Sequence, residues 1–116
     1  MTTTPITLNQ QIAAACVDGW YPSRTQRQAG EVYRLGGHPV AVLETRIERA
    51  PVGAPDDRDS DGEYTVCWQR LRDATEAEMA VASASRAAYK AGHGKDHPAR
   101  AAAEVQRMRI AAEAAE

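Results

Sequence analysis

From Glu31 to Arg72 the apolar residues of this chain are spaced for strands, and from Thr75 onward they are spaced for helices. Strands gathered in one stretch and helices in the next predict an α+β domain on an antiparallel sheet, because a parallel sheet needs the two to alternate. Glu31 to Leu35 and Val40 to Arg49 are rich in β-branched and aliphatic residues, and Gly36-Gly37-His38-Pro39 between them predicts a turn, so the two runs make a hairpin. Alternation along the second run puts Ala41, Leu43, Thr45 and Ile47 on one face and Val42, Glu44, Arg46 and Glu48 on the other. Glu63 to Arg72 predicts a third strand, with Tyr64, Val66 and Trp68 facing one way and Thr65, Cys67 and Leu71 the other. Three strands in a meander, joined by the loop 50–62, is the economical topology.

The helices announce their ends. Thr75-Glu76-Ala77-Glu78 has the capping-box spacing, and the helix it opens runs to Ala91, where Gly92 stops it. After an interhelical loop, 92–97, Pro98 suits the first turn of a second helix, Ala99 to Ala115, capped by Asp96 or His97. Their apolar stripes are small: Ala77, Val81, Ala84 and Ala88 on the first, Ala101, Val105, Met108 and Ala112 on the second. Such stripes bury little area, so the αα-hairpin must dock on the sheet, on a second copy of itself or on a partner, and Val105 and Met108 are the expected oligomer contacts. At the other end of the chain, Thr7 and Gln10 frame another capping box, predicting a short helix over residues 8–18 that Gly19 terminates, with 19–30 as a connection. The expected fold is thus a short N-terminal helix, a three-stranded antiparallel sheet and a C-terminal αα-hairpin, in one domain spanning 1–116.

Composition narrows the function. At 116 residues and 43% hydrophobic content the chain can bury a core without disulfides or metals. A formal net charge of −2 argues against a broad duplex-DNA binder, whose affinity comes from neutralising phosphates. Lys90 and Lys95 are the only lysines, so the positive charge is nearly all arginine. Cys16 and Cys67 lie far apart without a CxxC spacing and read as buried free thiols, implying a reducing, cytoplasmic setting. No apolar run reaches the ~18 residues of a membrane span, so no membrane partner is expected.

Asp57-Arg58-Asp59-Ser60-Asp61-Gly62 matches the first half of a calcium loop, with oxygen donors at alternate positions and then glycine. The second half fails, since Trp68 stands where a bidentate glutamate is needed, and Pro51, Gly53 and Pro55 forbid an entering helix. Asp57, Asp59 and Asp61 therefore read as an acidic loop, and no metal or other cofactor is expected. His93 and His97 would share a face only in a helix, and Gly92, Gly94 and Pro98 place them in a loop; His38 falls in another turn. The chain carries no nucleophile elbow, Walker loop or zinc-protease signature, which makes an enzyme the minority expectation.

One constellation could bind a ligand: Trp20, Tyr21, Arg24 and Arg27 in the 19–30 connection, with Arg70 and Arg72 at the end of the third strand. Aromatic faces beside guanidinium forks grip nucleotides, single-stranded nucleic acid or acidic protein surfaces; equally, Trp20 could be core and the arginines could pair with Glu44, Glu48 and Asp73. The segment Ala29 to Pro51, AGEVYRLGGHPVAVLETRIERAP, resembles the early strands of ASCH domains, over about a fifth of the chain. That resemblance implies a PUA-like module linked to RNA and modified nucleosides. The Gly-x-Lys element of that family has no counterpart, because Gly19-Trp20-Tyr21 lacks the lysine, so no catalytic residue carries over. The leading expectation is a small non-enzymatic accessory or inhibitor protein, of the kind phages and mobile elements use to block a host complex, acting through protein contacts and forming a homodimer. The alternative is a nucleotide or single-stranded RNA/DNA binding module.

Overall fold

A computed structural model of the chain describes residues 10–23, 25–51 and 63–114. The expected capping box at Thr7, the side chain of Arg24 and the acidic loop with Asp57, Asp59 and Asp61 lie outside the described residues. The rest is α+β: helix α1 (Gln10–Ala15), strands β1 (Tyr21–Ser23), β2 (Val32–Leu35), β3 (His38–Pro51) and β4 (Glu63–Asp73), then helices α2 (Glu76–Lys90) and α3 (Pro98–Glu113). The strands form one antiparallel sheet in the order β1-β4-β3-β2.

The fourth strand was hidden in the expected connection. Tyr21, Pro22 and Ser23 pair with Gln69, Trp68 and Cys67 at the outer edge of β4. Proline lacks the N–H a central strand would need, and an edge position leaves that lack without consequence. The chain enters this edge through Asp18-Gly19, both at positive φ (53° and 85°). Val17 and Trp20 exchange backbone hydrogen bonds of 2.8 and 2.9 Å across them. This is a two-residue hairpin turn of the Asp-Gly kind, so Gly19 serves a turn rather than a helix stop, and α1 already ends at Ala15.

A β-bulge between Val42 and Glu44 corrects the expected faces of β3. Ahead of it Val32, Ala41 and Leu43 lie on the face that packs against Met79, Ala82 and Ile110 of the helices. The extra residue then inverts the alternation, so Glu44 and Arg46 continue that face, opposite Arg70 and Trp68, while Thr45 and Ile47 turn to the other. The reverse face carries a second cluster of Tyr33, Val40, Val42 and Leu71, flanked by Tyr21 and Leu35. The side chain of Ile12 from α1 is buried and reaches toward Gly36 in the β2–β3 turn.

The helix ends follow the sequence. Thr75 accepts from the Glu78 N–H at 3.0 Å while the Glu78 carboxylate accepts from the Thr75 N–H at 2.9 Å. At the far end Gly92 takes φ 92°, and the His93 N–H reaches the Ala88 carbonyl at 3.0 Å, a Schellman stop. Of the two expected caps for α3 it is His97 that serves, its Nδ1 accepting from the Ala99 N–H.

Of the two expected stripes only Ala88 is buried, and the remaining buried positions differ from those expected. Met79 and Ala88 are buried on α2, Gln106 and Ile110 on α3, whereas Ala77, Ala84, Ala101 and Ala112 are exposed. Ile110 and Met79 offer more apolar area than the alanine stripes, and Gln106 also donates to the Glu78 carbonyl at 3.0 Å, linking the two helices. None of the described helices is long and apolar enough to cross a membrane.

Candidate functional site

The arginines and aromatics singled out in the sequence fall on both faces of the sheet. Consecutive residues entering a strand point to opposite sides, so Trp20 and Tyr21 part company. Trp20 joins the helix-side face beyond the bulge, where the Arg46 guanidinium lies 4.9 Å from its ring centre. There the Trp68 indole N–H donates to Glu48, and Arg70 donates to Glu44 at 2.9 Å. The Arg70 Nε is buried without a hydrogen-bond partner among the described residues. Tyr21 lies on the reverse face beside Tyr33, whose ring carries the Arg27 guanidinium 3.9 Å from its centre. Arg27 also approaches Glu31 at 3.5 Å.

Arg72 belongs to neither group. Its guanidinium is held by Glu78 of α2 at 3.0 and 3.2 Å and by Glu113 of α3 at 2.8 and 2.9 Å, tying the sheet to both helices. These bonds raise the Arg72 pKa, the contribution of Glu113 being the largest, and the same contact holds the Glu78 carboxyl below its ordinary value. The guanidiniums of Arg27, Arg70 and Arg72 thus each already face a carboxylate. As a platform for an anion, the sheet is largely neutralised.

The histidines and cysteines are also placed. His38 is the first residue of β3 rather than part of the turn, because Gly36 and Gly37, at φ 61° and 82°, close the hairpin by themselves; its Nε2 meets the Asp73 carboxylate. His93 and His97 sit in the interhelical loop with ring centres 4.4 Å apart. Among the described residues no three His, Cys, Asp or Glu side chains converge as a metal site. Both cysteines are free; Cys67 is buried in β4, whereas Cys16 is half-buried and follows α1, its thiol pKa raised by burial.

A second region escaped the sequence reading. The hairpin and the segment 28–32 enclose an open cleft of about 1280 Å³, with Arg86 and Tyr89 on the α2 wall and Arg100 and Arg107 on the α3 wall. Lys95 closes the end nearest the interhelical loop. The available signal was the three-residue spacing of Arg86 and Tyr89, which places both on one side of a helix. What lies opposite them is a tertiary matter.

The outer side of α3 is apolar and is left uncovered by the described residues. Val105 is 61% exposed and Met108 59%, with Ala101 and Ala112 beside them, while Ile110 on the opposite side is 2% exposed. Comparison with protein-family models, with curated proteins and with solved structures returns no match for this chain, the ASCH-like segment 29–51 included.

Proposed function

We propose that this chain is a small non-enzymatic binding protein that works through protein–protein contact, with the outer face of α3 as its contact surface. The observation that carries this reading is the two-sidedness of α3. At 3.6 residues per turn, Ala101, Val105, Met108 and Ala112 fall on a narrow stripe opposite the side that buries Gln106 and Ile110. A helix docked on one side alone needs no second apolar stripe. Small residues at both ends of this one let another helix approach closely around the Val105–Met108 centre, and a second copy of the chain brings the same stripe. The inhibitor role expected from the sequence would use this face as well. A nucleotide or nucleic-acid module built on Trp20, Tyr21, Arg27, Arg70 and Arg72 draws less support, because those arginines already face carboxylates.

Light scattering on the eluting protein tests the reading. The wild type is expected to run above monomer mass, and Val105→Asp with Met108→Asp is expected to give a folded monomer. An unchanged mass in the double variant, or a wild type that is monomeric at every concentration, overturns self-association through α3.

A further inference from the structure

We propose that the cleft between α2, α3 and residues 28–32 binds a nucleotide, with its phosphates on Arg86, Lys95 and Arg100 and its base on the ring of Tyr89. The first support is the charge count. Four cations line the cleft, Arg86, Lys95, Arg100 and Arg107, against two carboxylates, Glu31 and Glu104. Both carboxylates are engaged: Glu104 accepts from Arg107 at 2.7 and 3.0 Å, and Glu31 is 3.5 Å from Arg27, which is not part of the cleft wall. Arg86 and Lys95 make no ion pair with a described residue, although Lys95 helps lower the Glu104 pKa together with the dominant Arg107 bond. Arg100 donates one nitrogen to the His93 carbonyl at 2.9 Å and makes no ion pair with a described residue.

Three cations without a carboxylate partner among the described residues stand out in a concavity on a chain whose net charge is −2. On the sheet Arg27, Arg70 and Arg72 each face a carboxylate; in the cleft no described carboxylate pairs with Arg86, Lys95 or Arg100. A cleft of one sign concentrates counter-ions of the other, and guanidinium forks suit phosphate oxygens in particular.

The second support is Tyr89. It is 67% exposed, the most exposed of the large apolar side chains among the described residues. Its ring holds the Arg100 guanidinium 5.2 Å from its centre, which orients it without covering it. An aromatic ring with an open side, next to cations that no described carboxylate pairs with, is a stacking surface for a planar base whose phosphates those cations hold. The cleft exceeds the few hundred Å³ of a closed small-molecule pocket. It therefore suits a ligand gripped along one side with the remainder in solvent.

Calorimetric titration with ADP and with inorganic pyrophosphate, at low and at high salt, tests the assignment. ADP is expected to bind the wild type and to weaken as salt rises. Arg86→Ala with Lys95→Ala is expected to weaken it by about tenfold or more. Tyr89→Ala is expected to weaken ADP while leaving pyrophosphate unchanged. The Val105→Asp, Met108→Asp variant is expected to bind ADP as the wild type does, so the cleft stands or falls separately from the α3 contact. Absence of ADP binding to the wild type, an affinity unchanged in the Arg86, Lys95 variant, or a loss produced instead by Arg46→Ala on the sheet overturns the proposal. A Tyr89→Ala variant that binds ADP as tightly as the wild type overturns the placement of the base.

Discussion

The phenol of Tyr33 donates a hydrogen bond of 2.7 Å to the side-chain carbonyl of Gln69, joining β2 to β4 across the intervening β3. Gln69 has no exposed surface, and its amide also reaches the Thr25 carbonyl at 3.3 Å, so the pair pins the 25–31 segment to the sheet.

Tyr33→Phe removes the phenol and leaves a buried carbonyl oxygen without that donor, an expected loss of about 1–3 kcal/mol in denaturant unfolding. A second signature separates this from lost packing. Burial pushes the Tyr33 phenol up from 10.0 to about 12, only partly offset by Arg27. The unfolded chain ionises this group first, so its contribution to stability is complete below pH about 10 and disappears as pH rises toward about 12. Unfolding measured across that window is expected to fall less steeply in Tyr33→Phe than in the wild type.

Arg72 and its two carboxylates make the opposite prediction. Glu78 has its pKa lowered chiefly by the Arg72 hydrogen bonds, against the effect of burial. A carboxylate favoured in the folded state adds stability above its ordinary value near 4.5, and that stability is lost as pH falls through its lower folded value. Glu78→Gln is expected to flatten the acid limb of the stability profile. Arg72→Met leaves the half-buried Glu78 and the exposed Glu113 without their shared partner, and the expected cost, discounted for the exposure of Glu113, is about 1–2 kcal/mol at neutral pH, read from the denaturation midpoint.

Two glycines with similar backbone angles should respond differently to alanine. Gly30 is at φ 94°, and a Cβ there would stand 2.0 Å from the Arg107 carbonyl oxygen of α3, which belongs to a helix backbone and cannot swing aside. Gly37 is at φ 82° with nothing within 4 Å of its Cβ position. Gly37→Ala is expected to cost about 1 kcal/mol from backbone strain alone, and Gly30→Ala about 3 kcal/mol or more. Equal losses in thermal unfolding would mean that α3 does not sit against the 28–31 segment.

His97 caps α3 with a ring nitrogen where Asp, Asn, Ser or Thr is preferred. His97→Asp puts a charged acceptor at the positive end of the helix dipole and is expected to stabilise the protein by about 0.5–1 kcal/mol. His97→Ala is expected to lose a similar amount. Melting temperatures of the two variants should therefore lie on either side of the wild type.

Signals that act over a few residues were legible in the sequence. Thr75 with Glu78, Gly92 and Pro98 bounded the helices to within a residue or two, because caps and stops are satisfied by neighbouring backbone groups. Gly36-Gly37 similarly set the β2–β3 turn, and the strand composition of 31–72 set the α+β class. What depends on partners distant in sequence was not legible. Pro22 looked like a loop marker until β4 supplied an edge to pair with. The bulge at Val42/Glu44 reversed half of β3, since one inserted residue inverts every later side chain of a period-two strand. α3 carries two apolar stripes, and only docking against the sheet and α2 determined that Ile110 would be buried and Val105 exposed. The arginines were visible as residues, but their availability was not. Glu44, Glu78 and Glu113 neutralise Arg70 and Arg72, whereas no described acid pairs with Arg86 or Lys95. Composition sets how much charge a chain carries; which charges face each other across a few ångströms is decided by the fold, because ion pairing depends on distance in space rather than along the chain.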